Sequence, residues 1–343
     1  MRPKFAEQFR LKGTAHSYEN SSHERAALSL AGRRVIHDMD SSAFRPAKLH
    51  TDSELFRDGD GEGLGAVPAH PLVYVFDLKS HINLWVHSDN MQAYEYDTTL
   101  REKLILPAIQ HDLLDVLTTD IDLLTEDFIE GKAAGNVILA KGVPGVGKTL
   151  TAEVYSELIR WPLYSIHTGT LGTTAQEIQE NLELVIARVK RWRTVVCLLD
   201  EADVFVARRG DNLERNAIVA EFLRVLEYFT GLLFLTTNRP SDIDEAILSR
   251  CAAIITYEPP VNEAAMQIWS VMAQQFEAPL SEDLVQQLVK QFPAIAPRDI
   301  KMLFRLALRM GKKHSEPLSV DLFRRCALFR DVKIADVADG APG

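Results

Sequence analysis

Short apolar runs punctuate the middle of the chain, and between them apolar residues return every three or four positions. The uninterrupted runs cover residues 137–140, 194–199, 232–235 and 253–257. A run without polar alternation reads as a strand buried on both faces, the habit of a parallel sheet. Between the runs, Ile178, Leu182, Val185, Ile186 and Val189 share one face of a helix expected over 177–190. Ile218, Phe222, Val225, Leu226 and Phe229 do the same over 214–229. Residues 101–130 read as helical, strands and helices alternate to about 257, and 259–335 are mainly helical. The expected fold is α/β: a parallel sheet covered by helices on both faces, then a small helical domain. Upstream, 72–77 and 82–87 are two strand-like runs separated by Leu78-Lys79-Ser80-His81, a hairpin pattern within an α+β N-terminal region.

The chemistry sits where the apolar runs end. Residues 137–140 lead into Gly142-Val143-Pro144-Gly145-Val146-Gly147-Lys148-Thr149, and Leu150 opens a helix-forming stretch behind it. This is a complete G-x-x-x-x-G-K-[ST] loop in its strand–loop–helix setting. Glycines let backbone N–H groups turn toward phosphate oxygens, and the following helix presents its positive end to the same anion. Lys148 adds a charge near the terminal phosphates, and the Thr149 hydroxyl can ligate Mg²⁺. About fifty residues on, the run 194–199 ends in Asp200-Glu201-Ala202-Asp203. A carboxylate there falls beside the phosphate loop, so Asp200 is a candidate Mg²⁺ partner and Glu201 a candidate to orient and deprotonate water. The run 232–235 continues into Thr236-Thr237-Asn238-Arg239-Pro240. Asn238 either holds the attacking water or touches the γ-phosphate, or it only caps the turn before Pro240.

With these motifs in order and followed by Asp242-Ile243-Asp244-Glu245-Ala246-Ile247-Leu248-Ser249-Arg250, residues 100–335 resemble an AAA ATPase of the AAA+ superfamily. The phrases Thr-Leu-Thr-Ala-Glu at 149–153 and Pro-Leu-Tyr-Ser at 162–165 are similar to those of a little-characterised group of fungal and bacterial members. The resemblance implies ATP and Mg²⁺ as cofactors and self-association into a ring, expected to be a hexamer. It casts Asn238 as the sensor of the γ-phosphate and Arg250 as an arginine finger reaching a neighbour's site. Arg298, at the start of a lid helix, resembles a residue that contacts nucleotide from the lid side. Two departures stand out. Cys251-Ala252-Ala253 follow Arg250 where a second arginine is common, and Thr174 occupies the pore-loop position at which unfoldases carry an aromatic.

The implied division is an N-terminal region over 1–98 suited to partner recognition, an ATPase core over 99–258, a helical lid over 259–335 and a flexible tail over 336–343. The 343 residues carry a net charge of −10, yet residues 298–333 carry +6 and the rest −16. Arg298, Lys301, Arg305, Arg309 and Lys312 recur at helical spacing opposite Ile300, Leu303, Phe304 and Ala307. A nucleic-acid motor therefore stays open beside the expected function, mechanical work on a macromolecular client, a protein in the first instance. Asp-Glu-Ala-Asp also spells a helicase signature, but a helicase of that type needs a second nucleotide-binding-like domain. A nucleotide-gated scaffold with slow hydrolysis is a further alternative. Three cysteines without a C-x-x-C pair imply reduced thiols, and neither a signal core nor an 18-residue apolar run appears, so a cytoplasmic setting is expected. Residues 58–63 read as an acidic linker, because Ala69 stands where a calcium loop needs glutamate. His81 and His87 read as surface histidines, their spacing fitting no standard metal site.

Overall fold

The computed structural model describes residues 6–18, 25–38, 72–119, 136–172, 174–227, 229, 231–330 and 332–335. The acidic stretch 58–63, the end of the helical stretch expected to 130, and the tail 336–343 lie outside them. At the centre is a five-stranded sheet of β8 (Asn136–Gly142), β9 (Leu163–His167), β10 (Val196–Asp200), β11 (Leu232–Thr237) and β12 (Ala253–Tyr257). Its order is β12-β8-β11-β10-β9, and every pairing is parallel.

Burial on both faces explains why the central strands carry apolar runs. Val137, Leu139, Cys197, Leu199, Leu233 and Leu235 face α3 (Ala175–Trp192) and α5 (Leu213–Glu227), meeting Ile178, Leu182, Val185, Phe222 and Leu226. Ile138, Ala140, Val196, Leu198, Leu232 and Phe234 point the other way, toward α1 (Ala108–Thr119) and α2 (Lys148–Leu158). Both helices expected from spacing are therefore present, each within a few residues of its expected bounds. The stretch expected to be helical from 101 instead opens as a 3₁₀ turn, Thr98–Lys103, and Pro107 precedes α1. The lid consists of α7 (Asn262–Gln275), α8 (Glu282–Gln291), α9 (Pro297–His314) and α10 (Val320–Ala327). Its helices close on Trp269, whose ring lies 5.5 Å from Phe304 and 5.4 Å from Phe323. Ser281 and Ser319 cap α8 and α10 by accepting from the N–H groups of Leu284 and Leu322.

The N-terminal region is more extensively stranded than its sequence predicts. The expected hairpin is β5 (Leu72–Asp77) and β6 (Asn83–His87), but it forms the middle of a seven-stranded antiparallel sheet. Its other strands are β1 (Gln8–Leu11), β2 (Thr14–Tyr18), β3 (Arg25–Ser29), β4 (Arg34–His37) and β7 (Met91–Ala93). Among the described residues before 98 there is no α-helix. One side of the sheet packs on itself through Phe9, Leu11, Val35, Val75, Leu84 and Val86. The other sends Ile36 and Phe76 into the core of the parallel sheet. His81, expected at the surface, is partly exposed but packed. It lies between Phe76 and Tyr164, with ring centroids 6.0 and 5.2 Å away.

Candidate functional site

The loop after β8 owes its path to its glycines. Gly142, Gly145 and Gly147 all have positive φ, at 154°, 83° and 106°. A Cβ on Gly142 would sit 2.2 Å from the Tyr257 carbonyl oxygen, and one on Gly145 would sit 2.9 Å from Cβ of Arg298. Only glycine allows so close an approach in this backbone region. Val146 is buried beneath the loop, whereas Val143, Pro144 and Leu150 are exposed. Gly147 is the N-cap of α2, and Lys148 and Thr149 form that helix's first turn. Lys148 is buried, and its Nζ donates to the carbonyls of Gly142 (2.8 Å) and Val143 (2.7 Å) and to Asn238 Oδ1 (2.9 Å). Burial holds its ammonium below the ordinary lysine range, against the pull of Asp200 and Asp203.

The acidic half sits at the carboxyl ends of β10 and β11. Thr149 Oγ1 donates to Asp200 Oδ1 at 2.9 Å. Thr236 Oγ1 donates to the same oxygen at 2.5 Å and accepts from the Glu201 N–H at 2.9 Å. Glu201 has the left-handed φ of 57°, and its carbonyl accepts from Thr168 Oγ1 at 2.6 Å. A non-glycine residue there costs about 1–2 kcal/mol, so this pair of hydroxyls holds Glu201 where free backbone would not stay. Asp203 Oδ1 accepts from Thr237 Oγ1 (2.6 Å) and the Asn238 N–H (2.9 Å). The structure thus gathers the loop 142–149, Asp200, Glu201 and Asn238 around one point. Arg298 joins from the lid, its N–H donating to the Gly145 carbonyl at 3.2 Å and its side chain exposed. Arg250 does not join. It is exposed after α6 (Glu245–Leu248), with Nη1 donating to the Ala246 carbonyl at 3.1 Å.

Thr168, Thr236, Thr237 and Asp203 are site residues that sequence reasoning missed. The signal available was a polar pair, Thr236-Thr237, inside a wholly buried strand. Missed too was a cavity of about 540 Å³ beside the loop, between core and lid. Its walls include Ile105, Gln110, Val146, Tyr257, Ile268 and Pro297. Thr174 has a clear local role: it caps α3 by accepting from the Glu177 N–H, while the Glu177 carboxylate accepts from the Thr174 N–H.

Residues 138–259 match the model of the ATPase family associated with various cellular activities (AAA). The chain carries an AAA ATPase domain. The human fidgetin-like protein 1 is 28% identical over 218 residues, 61% of this chain and 30% of that protein. Spastin of Danio rerio is 25% identical over 248 residues, 69% of this chain and 40% of that protein. The chain therefore spans well under two thirds of these relatives. In fold, it is similar to a chain of the E. coli MS115-1 HORMA:CdnC:Trip13 complex, with a TM-score of 0.54 and 19% identity. That likeness covers 70% of this chain and 95% of the other. ATP with Mg²⁺ is the cofactor of AAA domains, and the residues present fit it. The loop's glycines take positive φ and lead into the N-terminus of α2, where backbone N–H groups suit phosphate oxygens, and the paired hydroxyl and carboxylate of Thr149 and Asp200 are oxygen donors of the kind Mg²⁺ takes. Among the described residues, no helix is long and apolar enough to cross a membrane.

Proposed function

We propose that this chain hydrolyses ATP in a ring of copies, expected to be six, and couples turnover to remodelling a macromolecular client, a protein in the first instance. The observation that carries the reading is a pair of hydrogen-bonded clusters that meet at the adjacent residues Lys148 and Thr149: Lys148 with Asn238, and Thr149 with Asp200, Thr236 and Glu201. In this reading the 142–149 amides and Lys148 hold the phosphates, Leu150 and Arg298 flank them, and the cavity beside Val146 and Pro297 takes the base. Thr149 and Asp200 hold Mg²⁺, which supplies charge neutralisation on the terminal phosphates. Glu201 takes the proton from the attacking water, and Asn238, anchored by Asp203, positions that water. Arg250, exposed and bonded only to its own helix in the described contacts, is presented to a neighbouring copy. Residues 1–98, 99–258 and 259–335 act as recognition region, motor core and lid in this scheme. Unpaired cysteines suit a cytoplasmic setting.

Mixing two dead variants tests the shared site. Arg250→Ala alone loses about 10³–10⁵ in turnover, and Glu201→Gln alone is inactive. Combined, each Arg250→Ala site beside a Glu201→Gln neighbour receives that neighbour's arginine, and hydrolysis returns. A mixture as inactive as its parts would refute the shared site. The client's class is tested with Glu201→Gln as an ATP-dependent trap against a Lys148→Ala control. Nucleic acid enriched there would move the exposed α9 stripe of Arg298, Arg305, Arg309 and Lys312 to the front.

A further inference from the structure

The last turn of α2 carries Glu157, whose side chain is only 7% exposed. Its carboxylate accepts three hydrogen bonds, and every donor lies outside the parallel-sheet core. They are Arg34 Nη1 of β4 (3.2 Å), the Tyr94 hydroxyl (2.7 Å) and the Asp97 N–H (3.0 Å). The Tyr94 ring is covered in turn by the guanidinium groups of Arg10 and Arg34, 5.3 and 5.6 Å from its centroid. The same strand holds a second helix end. Asp38, directly after β4 and fully buried, accepts from Arg191 Nε (2.9 Å) and Nη2 (2.7 Å) on the last turn of α3. Arg188 of α3 lies over Phe76 at 4.8 Å and donates to the Tyr164 hydroxyl.

The head of α2 is thus fixed by the phosphate loop, through Lys148 and Thr149, and its foot by the N-terminal sheet. An eleven-residue α-helix is a stiff rod of about 16 Å. A buried carboxylate with three donors cannot shift along the axis without losing bonds that water is not there to replace. We propose that Glu157 is a positioning residue coupling the nucleotide site to the N-terminal sheet. Order imposed on the loop by nucleotide is passed down α2 to β4 and β7. A partner bound to the sheet alters nucleotide affinity by the same factor in return. The inference rests on the ATP-binding reading above.

Hydrogen exchange on the full chain, with and without Mg-ADP, tests it. The reporters are the N–H groups of His37, bonded to Glu7 O, and Tyr94, bonded to Gln8 O, with Leu139 of β8 as the core control. In wild type, Mg-ADP slows exchange at all three by about fivefold or more, whereas in Glu157→Gln the slowing persists at Leu139 and falls below about twofold at His37 and Tyr94. A merely structural Glu157 would instead weaken sheet protection equally with and without nucleotide, which overturns the proposal. So does undiminished slowing in Glu157→Gln, or none at the sheet in a wild type shown by calorimetry to bind Mg-ADP. A wild type that binds no Mg-ADP refutes the ATP reading itself. Should Glu157→Gln not fold, Arg34→Met removes one donor from the more exposed side, with a partial loss of the response expected and an unchanged response contradictory.

Discussion

Replacing Thr236 by valine keeps the side chain's shape and removes one hydroxyl from the centre of the site. Thr236 is 2% exposed, so no water replaces what is lost. The hydroxyl donates to the Asp200 carboxylate at 2.5 Å, a bond to a charged group worth about 1.5–3 kcal/mol. It also accepts from the Glu201 N–H at 2.9 Å, and without it that donor loses its acceptor at the site's one non-glycine residue in left-handed backbone. Glu201 is then free to relax toward ordinary φ, away from the point where Asn238 and Lys148 meet. If the loss falls on the transition state, 1.5–3 kcal/mol lowers kcat by about 10- to 150-fold. ATP affinity stays within about threefold, because the contacts of Lys148 and the loop amides are untouched. Steady-state phosphate release measures the first quantity, and titration with a fluorescent ATP analogue measures the second. Thr236→Ser restores the hydroxyl and most of the rate. Wild-type turnover in Thr236→Val, or a fall in affinity matching the fall in rate, would refute the reasoning.

Other consequences follow from the same geometry. Gly142→Ala places a methyl against the Tyr257 carbonyl and destabilises by about 1–3 kcal/mol or more through overpacking. Gly147→Ala meets no atom within 4 Å and bears only the left-handed cost of about 1–2 kcal/mol. Thermal unfolding should rank the two in that order, and equal shifts would contradict it. Asp203→Ala frees the Asn238 backbone and should lower kcat by about 10- to 150-fold with ATP binding intact, the worth of one charge-assisted bond; phosphate release at saturating ATP checks it. Burial, aided by Arg188, holds the His81 imidazole below its usual value despite Asp77 and backbone hydrogen bonds from the other side. Both states are neutral above about pH 6.5, and as pH falls below that the unfolded chain takes the proton first. Stability should therefore fall from about pH 6.5 down to the folded value and then level off. The loss should shrink in His81→Asn, whose side chain suits the φ of 58°. Urea midpoints at pH 7.5 and 5.5 decide this, an equal acid loss in the variant being contradictory.

What could be read from sequence was what lies contiguous in it. The loop 142–149 is one string, and β8, β10 and β11 are runs buried on both faces, so pattern alone marks them; the run 253–257 also marks β12, but as an edge strand β12 exposes Ile254 and Thr256 and is buried on one face only. The strand β9 escaped, because Ser165 and His167 break its apolar run at the edge of the sheet. The strands β1 to β4 are four or five residues long and find partners far away, as in the pairing of Phe9 with Ala93. Such short segments carry little periodicity of their own. Thr168 and Thr236 acquire their roles only when β9 and β11 flank β10, a juxtaposition absent from any one segment. The packing of His81 was hidden for the same reason: nothing in the hairpin turn announces that Tyr164, more than eighty positions on, will pack against it.

The most direct test of an ATP-hydrolysing site here separates binding from hydrolysis at two residues. ATP binding and phosphate release are measured side by side for wild type, Lys148→Ala and Glu201→Gln. The expected result is binding and release in wild type, neither in Lys148→Ala, and binding without release in Glu201→Gln. Lys148→Ala binding ATP as tightly as wild type, or Glu201→Gln releasing phosphate at the wild-type rate, would contradict it.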